Sequence, residues 1–198
     1  MVINFTILDQ ASVESWVPQD IVHKSLHNVF AFSSIVNIMS MRGRTDYDYV
    51  WFLEQDTAWN GNLFELLDHF NMYHVDYITA KTQHRWHGEW PVALEHTGKG
   101  VFNDTLGASR PFAGQWVVRY SRSFVEKIQD EWIRKGIIAW NEWYTSIICK
   151  EHMDNCKLFD MCIETPYVCG EPFQVGGEPK DWVYDPNAQA QFFHPIKH

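Results

Sequence analysis

Tyr47-Asp48-Tyr49-Val50-Trp51-Phe52-Leu53-Glu54-Gln55-Asp56 joins an unbroken apolar run to two acidic residues spaced one apart. A run such as Tyr49 to Leu53 reads as a strand buried on both faces, the habit of a mainly parallel sheet. Open α/β sheets bind ligands beyond the carboxyl ends of their strands, and Glu54 and Asp56 stand there. If the extended backbone continues, side chains alternate, so the two carboxylates point one way and Gln55 the other. Two hard oxygen donors on one edge make half a site for a divalent cation. The same residues also suit a solvated strand end before a helix, because Asp is common at such turns.

Working outward, strand and helix signals alternate. Val2 to Leu8 alternates as a short strand with Asp9 at its end. Apolar positions at helical spacing, among them Ile21, Leu26, Phe30 and Ile35, predict a helix from about Asp20 to Met41 that Gly43 stops. After the strand comes Asn60-Gly61, a turn dipeptide, and then Leu63, Leu66, Leu67 and Phe70 at helical spacing. Val75 to Ala80 and Gln115 to Tyr120 read as strands. Ser123-x-x-Glu126 fits a capping box for a helix through Phe124, Ile128 and Trp132 to Gly136. Asn141 caps a further helix with Trp143, Ile147 and Ile148, and Leu158 to Val168 holds a strand or two. The alternation predicts an α/β fold, a sandwich around a mainly parallel, mixed sheet. Lys81 to Arg110 carries scattered Gly, His and Trp and reads as one or two long loops. Loops of such length are more often functional than accidental.

Composition narrows the function. The chain has 198 residues, enough for one core, and is read as a single domain, 1–198, or as one domain of a longer protein. Ten Trp, 8 Tyr and 13 Phe are enough for some rings to line a site. A formal net charge of -9 argues against a nucleic-acid partner, though not against a nucleotide held through a cation. No apolar stretch is long enough to span a bilayer, and Met1 to Gln10 lacks the basic start and cleavage site of a signal peptide. Cys149, Cys156, Cys162 and Cys169 are spaced too widely for zinc knuckles. Buried free thiols in a reducing compartment are the first expectation, disulfides the second and zinc the third; this favours the cytoplasm, while a trimmed lumenal domain would read much the same.

The segment Tyr49 to Asp56 resembles the DxD region of GT-A-fold glycosyltransferases, in an ExD form. In that family an acidic pair at a strand end binds Mn²⁺ or Mg²⁺ together with the diphosphate of a nucleotide sugar. The resemblance implies that Asp56 ligates the metal, while Glu54 contacts the ribose or completes the metal shell through water. Many members place a late His on the same metal and a nearby Lys on the phosphates. His194-x-x-Lys197 is similar, and imidazole beside two carboxylates suits Mn²⁺ more than Mg²⁺.

Arg110-Pro111-Phe112-Ala113-Gly114-Gln115-Trp116 resembles the family's donor-sugar segment. There Gly114 would let backbone approach the sugar, Arg110 would pair with phosphate or hydroxyls, and Trp116 would floor the pocket. Trp140-Asn141-Glu142-Trp143 stands where inverting members carry the general base, which makes Glu142 the candidate to deprotonate the acceptor hydroxyl. In a retaining enzyme Glu142 would bind hydroxyls instead, and an acidic residue in a first helical turn also complements the helix dipole. No Gly-rich phosphate cradle is present, which fits a family that relies on the cation.

The resemblance runs in order from Tyr49 to Lys197. It departs from the family pattern before Glu54, where members place two strand-helix units that hold the nucleobase. Here one strand and one helix precede the pair, with Asp9 as the candidate base or ribose contact. The implied activity is transfer of a sugar from a nucleotide diphosphate donor, UDP by family frequency, to a hydroxyl on a glycan or glycoprotein. Two other classes fit some of the same residues. A metal-dependent phosphoester hydrolase would use Glu54, Asp56 and the histidines of the 81–95 segment, including His84 and His87 beside Trp86, Glu89 and Trp90. A non-catalytic carbohydrate-binding module would need only the aromatic residues.

Overall fold

The strand Val117–Ser121 is buried at all five positions, and its Val-Val-Arg-Tyr-Ser sequence suits a pleated surface packed on both sides. A computed structural model describes residues 37–54, 56–80, 82–83, 112–135, 145–146, 148–165, 169, 180–181, 184–185, 187, 190–193 and 196–197. In chain order the strands are β1 (Tyr49–Leu53), β2 (Ala58–Asn60), β3 (Tyr77–Thr79), β4 (Thr82–Gln83), β5 (Phe112–Ala113), β6 (Val117–Ser121), β7 (Leu158–Asp160), β8 (Lys180–Asp181), β9 (Gln191–Phe193) and β10 (Ile196–Lys197). Among the described residues the helices with both ends defined are α1 (Leu63–Asn71), α2 (Arg122–Lys135) and the short α3 (Met161–Glu164); residues 37–40 and 145–146 are also helical, and a π-helical turn spans Ile148–His152.

The main sheet has the order β1-β6-β3-β7. β6 pairs antiparallel with β1, Leu53 opposite Val117, and antiparallel with β3, Ile78 opposite Arg119. β3 pairs parallel with β7, Thr79 opposite Asp160. Three strands thus share one direction and β6 runs against them. The α/β class and the mixed sheet match the sequence reading, but β6 makes two of its three ladders antiparallel. An apolar run records burial, not the direction of the neighbour.

Alternation along β6 and β1 divides the core between two faces. Val118 and Tyr120 join Tyr77, Phe124, Val125 and Ile128, with Val50 and Phe52 packed against them, so α2 covers one face. Val117 joins Leu66, Phe70, Ile78, Met161 and Phe192, with Trp51 and Phe159 packed against them, so α1 covers the other. Expected burial of β1 on both faces is corrected: its first four residues are partly buried and Leu53 is 40% exposed. Among the described residues β1 ends the sheet, and an edge strand is paired on one flank only.

Arg119 ties α1 to β6. Its guanidinium is fully buried; Nη1 donates to the Phe70 carbonyl at 2.6 Å, and Nη2 donates to those of Tyr73 and Val75. A helix ends with unsatisfied carbonyls and a negative dipole, and a cation there meets both. The charge also lies over the Tyr49 ring, 4.0 Å from its centroid. Burial pulls the guanidinium's pKa below its ordinary value, partly offset by Tyr49, yet an arginine keeps its charge inside a protein.

Caps and turns fall close to their sequence signals, with informative exceptions. Gly43 and Gly61 take the positive φ angles that favour glycine, 73° and 152°. Asn62 caps α1 by accepting from Phe64 N at 3.1 Å, and its amide donates to Glu65. The predicted box at Ser123 is displaced: α2 starts at Arg122, and Ser121 Oγ accepts from Phe124 N at 3.1 Å. Ser121 wins because its hydroxyl also donates to Asp76 at 3.0 Å, which holds the cap to β3. Asp76 further accepts from Lys157 N at 3.1 Å, joining the opening of β7 to the same corner. Within Leu158 to Val168 only β7 is a strand among the described residues; Asp160 caps α3 by accepting from Cys162 N and Ile163 N.

The cysteines are the clearest correction. Cys149 pairs with Cys156 and Cys162 with Cys169, each across a sequence separation of seven, so the expected free thiols are absent. Spacing alone could not decide, because the π-helical turn and the Asn155 residue at φ 58° fold the first pair back within reach. The expected strand Val2 to Leu8 and most of the helix from Asp20 lie outside the described residues.

Two stability measurements follow. Arg119→Met keeps the apolar stem but removes the charged donor shared by the Phe70, Tyr73 and Val75 carbonyls, and should lower unfolding stability by about 2–4 kcal/mol in urea. An unchanged midpoint would remove the clamp from the fold's essentials. Replacing both cysteines of either pair by serine should cost about 2–3 kcal/mol, since each closes a short loop; a Tm equal to that of the parent chain would contradict it.

Candidate functional site

The arrangement of strands puts the carboxyl ends of β1, β3 and β7 and the amino end of β6 on one edge. Glu54 follows β1 there, and its N–H donates to the Trp116 carbonyl at 2.8 Å. Thr57 N donates to the Glu54 carbonyl at 3.1 Å, which closes a turn over 54–57. Thr57 Oγ1 also reaches the Trp116 carbonyl, at 3.4 Å. The acidic pair therefore sits in a turn held to the head of β6, and the strand alternation expected for Glu54 and Asp56 does not extend through it. Both residues are partly buried.

Gly114 and Trp116 lie on the same edge and are both held by the protein's own packing. A Cβ on Gly114 would fall well inside contact distance of the Ala80 carbonyl and the Trp116 ring. The space a glycine provides is thus taken up by the protein's own packing. Thr79 Oγ1 donates to the Gly114 carbonyl, and Ala80 N donates to the Val117 carbonyl at 3.2 Å, stitching β3 to this segment. The Trp116 side chain is 4% exposed and belongs to the core with Leu66, Phe70 and Phe192. Its ring supports Gly114 while its carbonyl anchors the acidic turn.

Between them Gln115 enters a buried polar cluster. Its amide nitrogen lies within hydrogen-bond reach of Tyr77 OH, of Thr145 Oγ1 at 3.0 Å and of the Ala113 carbonyl at 3.2 Å. Tyr120 OH donates to its Oε1, and Tyr77 OH lies 3.2 Å from Thr145 Oγ1. Burial, then the neighbouring Tyr77, pushes the Tyr120 phenol well above its ordinary pKa, so it remains a neutral donor. Sequence reading missed Gln115 and Thr145. The only signal was an amide heading an apolar strand, which does not name its partners.

The chain's end returns to this edge. β9 pairs antiparallel with β2, with Phe193 opposite Ala58 and Phe192 opposite Trp59. Phe192 is fully buried, and its ring centroid lies 4.7 Å from that of Trp59. Burying such a ring stabilises by about 1.5–3 kcal/mol, and the aromatic pair adds roughly 0.5–1.5. Asp185 N donates to Asn60 Oδ1 at 3.0 Å, a second tie between tail and β2. The residue opposite Phe193 is two beyond Asp56 in sequence, and the residue after Phe193 is His194.

Glu54, Asp56, Gly114 and Trp116 are therefore brought to one edge. Lys197 contributes backbone to β10, where it pairs in parallel with Asp181 of β8. Its side chain, together with Asp9, Arg110, Glu142 and His194, lies outside the described residues, as do His84, Trp86, His87, Glu89 and Trp90. Asp160, buried at the end of β7, is a further carboxylate at this edge. Among the described residues no group of three metal-capable side chains forms, and no helix is long and apolar enough to cross a membrane. Comparison with protein-family models, curated proteins and solved structures gives no match.

Gly114→Ala tests the packing of this edge. The added methyl group must displace the Ala80 backbone or the Trp116 ring, and should destabilise the chain by about 1–3 kcal/mol in chemical denaturation. Wild-type stability would mean that the segment can yield at no cost.

Proposed function

We propose that the chain is a metal-dependent glycosyltransferase of the GT-A kind, moving a sugar from a UDP-sugar to a hydroxyl of a glycan or glycoprotein. The observation that carries this reading is the pairing of β2 with β9. It attaches the strand that runs into His194 to the strand that leaves Asp56, so the two ligands named by the resemblance belong to chain segments bonded side by side. The fold reading draws support from the same edge: an acidic turn at a strand's carboxyl end, helices on both sheet faces, and the Gly114 segment bonded to that turn.

The donor set suits a hard divalent cation. Asp56 would hold Mn²⁺ or Mg²⁺ with His194, and Glu54 would complete the shell or meet the ribose. When bound, the cation supplies charge stabilisation to a leaving nucleoside diphosphate. The chain's own residues do the rest. By the resemblance, Arg110 and Lys197 would pair with the phosphates, and Asp9 would meet the base or ribose. Glu142 takes the acceptor hydroxyl proton as the acceptor oxygen bonds to the anomeric carbon. The bond from that carbon to the diphosphate oxygen breaks, and the electron pair leaves with the diphosphate.

A reducing cytoplasm is the expectation that free thiols would support, and both thiol pairs are disulfides. We infer an oxidising setting for the chain, a reading that the two disulfides support.

Thermal shift with UDP, GDP and CMP, each with Mn²⁺ or with chelator, tests the proposal. Saturating UDP with Mn²⁺ should raise Tm by roughly 5–10 °C, and chelator should abolish the rise. Asp56→Ala should lose the metal-dependent shift while keeping the Tm of the free chain; a retained shift would show that the acidic turn does not hold the metal. Silence with every nucleotide overturns the transferase.

A further inference from the structure

We propose that Gln115 and Thr145 form a positioning link that sets the segment bearing Glu142 against the Gly114 segment. The inference rests on the transferase reading. Gln115 is 5% exposed and Thr145 1%, and their side chains meet at 3.0 Å within a cluster that includes Tyr77 and Tyr120. A buried amide is costly unless paired, and apolar residues of similar shape would fill the same space without that demand. A polar hub differs from apolar packing in one respect: its hydrogen bonds are directional, so they admit one relative placement where smooth surfaces would slide.

The placement concerns parts that must act together. Gln115 lies between Gly114, bonded through Thr79 to β3, and Trp116, whose carbonyl holds the Glu54 turn. Thr145 stands three residues after Glu142 in sequence, in the helical segment that Glu142 opens in the sequence reading. The hydroxyl–amide contact is therefore a direct tie between the donor side of the site and the chain that carries the proposed base. Both side chains are buried in the cluster, which makes them positioning residues. Their effect on rate comes through geometry, where a displacement of about an ångström can cost on the order of 100-fold.

The test compares the full chain with Thr145→Val, Thr145→Ser and Gln115→Met. Two quantities are read for each: the Mn²⁺-dependent affinity for UDP, and the rate of UDP release from a panel of UDP-sugars offered with simple glycan acceptors. Thr145→Val and Gln115→Met should bind UDP with Mn²⁺ within about twofold of the wild type, while kcat falls about 10–100-fold with donor KM little changed. Thr145→Ser, which keeps the hydroxyl, should restore kcat to within about threefold.

If wild-type chain binds no nucleotide, the transferase reading fails and the link falls with it. If wild type binds and turns over but Thr145→Val keeps full kcat below its own Tm, the cluster is packing alone and the link is overturned. Failure of both Thr145→Val and Gln115→Met to fold overturns it too, since the cluster would then serve folding.

Discussion

The buried guanidinium of Arg119 is the constraint around which the described structure is organised. A cation inside the core survives only where dipoles meet it, and the carbonyls of Phe70, Tyr73 and Val75 supply them. That requirement fixes where α1 stops and which way the chain turns into β3. It also seats β6 between β1 and β3, because Arg119 lies opposite both Trp51 and Ile78 in the ladders. A neutral side chain there would leave the helix end with only its backbone donors, Tyr73 N on the Phe70 carbonyl and Val75 N on that of Tyr73.

From that seating the site edge follows. With β6 reversed among strands that share a direction, its opening residues lie beside the ends of β1 and β3. The Gly114–Trp116 segment can then bond at once to the acidic turn, to Thr79 and to Thr145. Each contact uses a backbone carbonyl or a short buried side chain, and such groups hold position better than long exposed ones. The return of β9 to β2 adds the tail, held by Phe192 against Trp59. The short β2–β9 pairing would be marginal alone, and the buried ring makes it persist.

Much of the fold could be read in particular residues. The apolar run at Tyr49 to Leu53, the helical spacing of Leu63, Leu66 and Phe70, and the glycines at 43 and 61 all lie in the elements their patterns predict. Where the reading failed, a local pattern had two solutions and a distant partner chose. Ser121 displaced Ser123 as cap because Asp76 reaches it. The acidic pair left strand geometry because Thr57 closes a turn on Glu54.

By itself the sequence determined the alternation of strands and helices, the acidic pair beyond the β1 run, and the chemistry of the candidate residues. These rest on side-chain period and functional groups, which are local properties. Only the tertiary structure decided the reversal of β6, the pairing of the cysteines, the attachment of the tail to β2 and the union of Gln115 with Thr145. Each of these joins residues whose meeting depends on closing the intervening chain, and no local pattern records which distant group will be there.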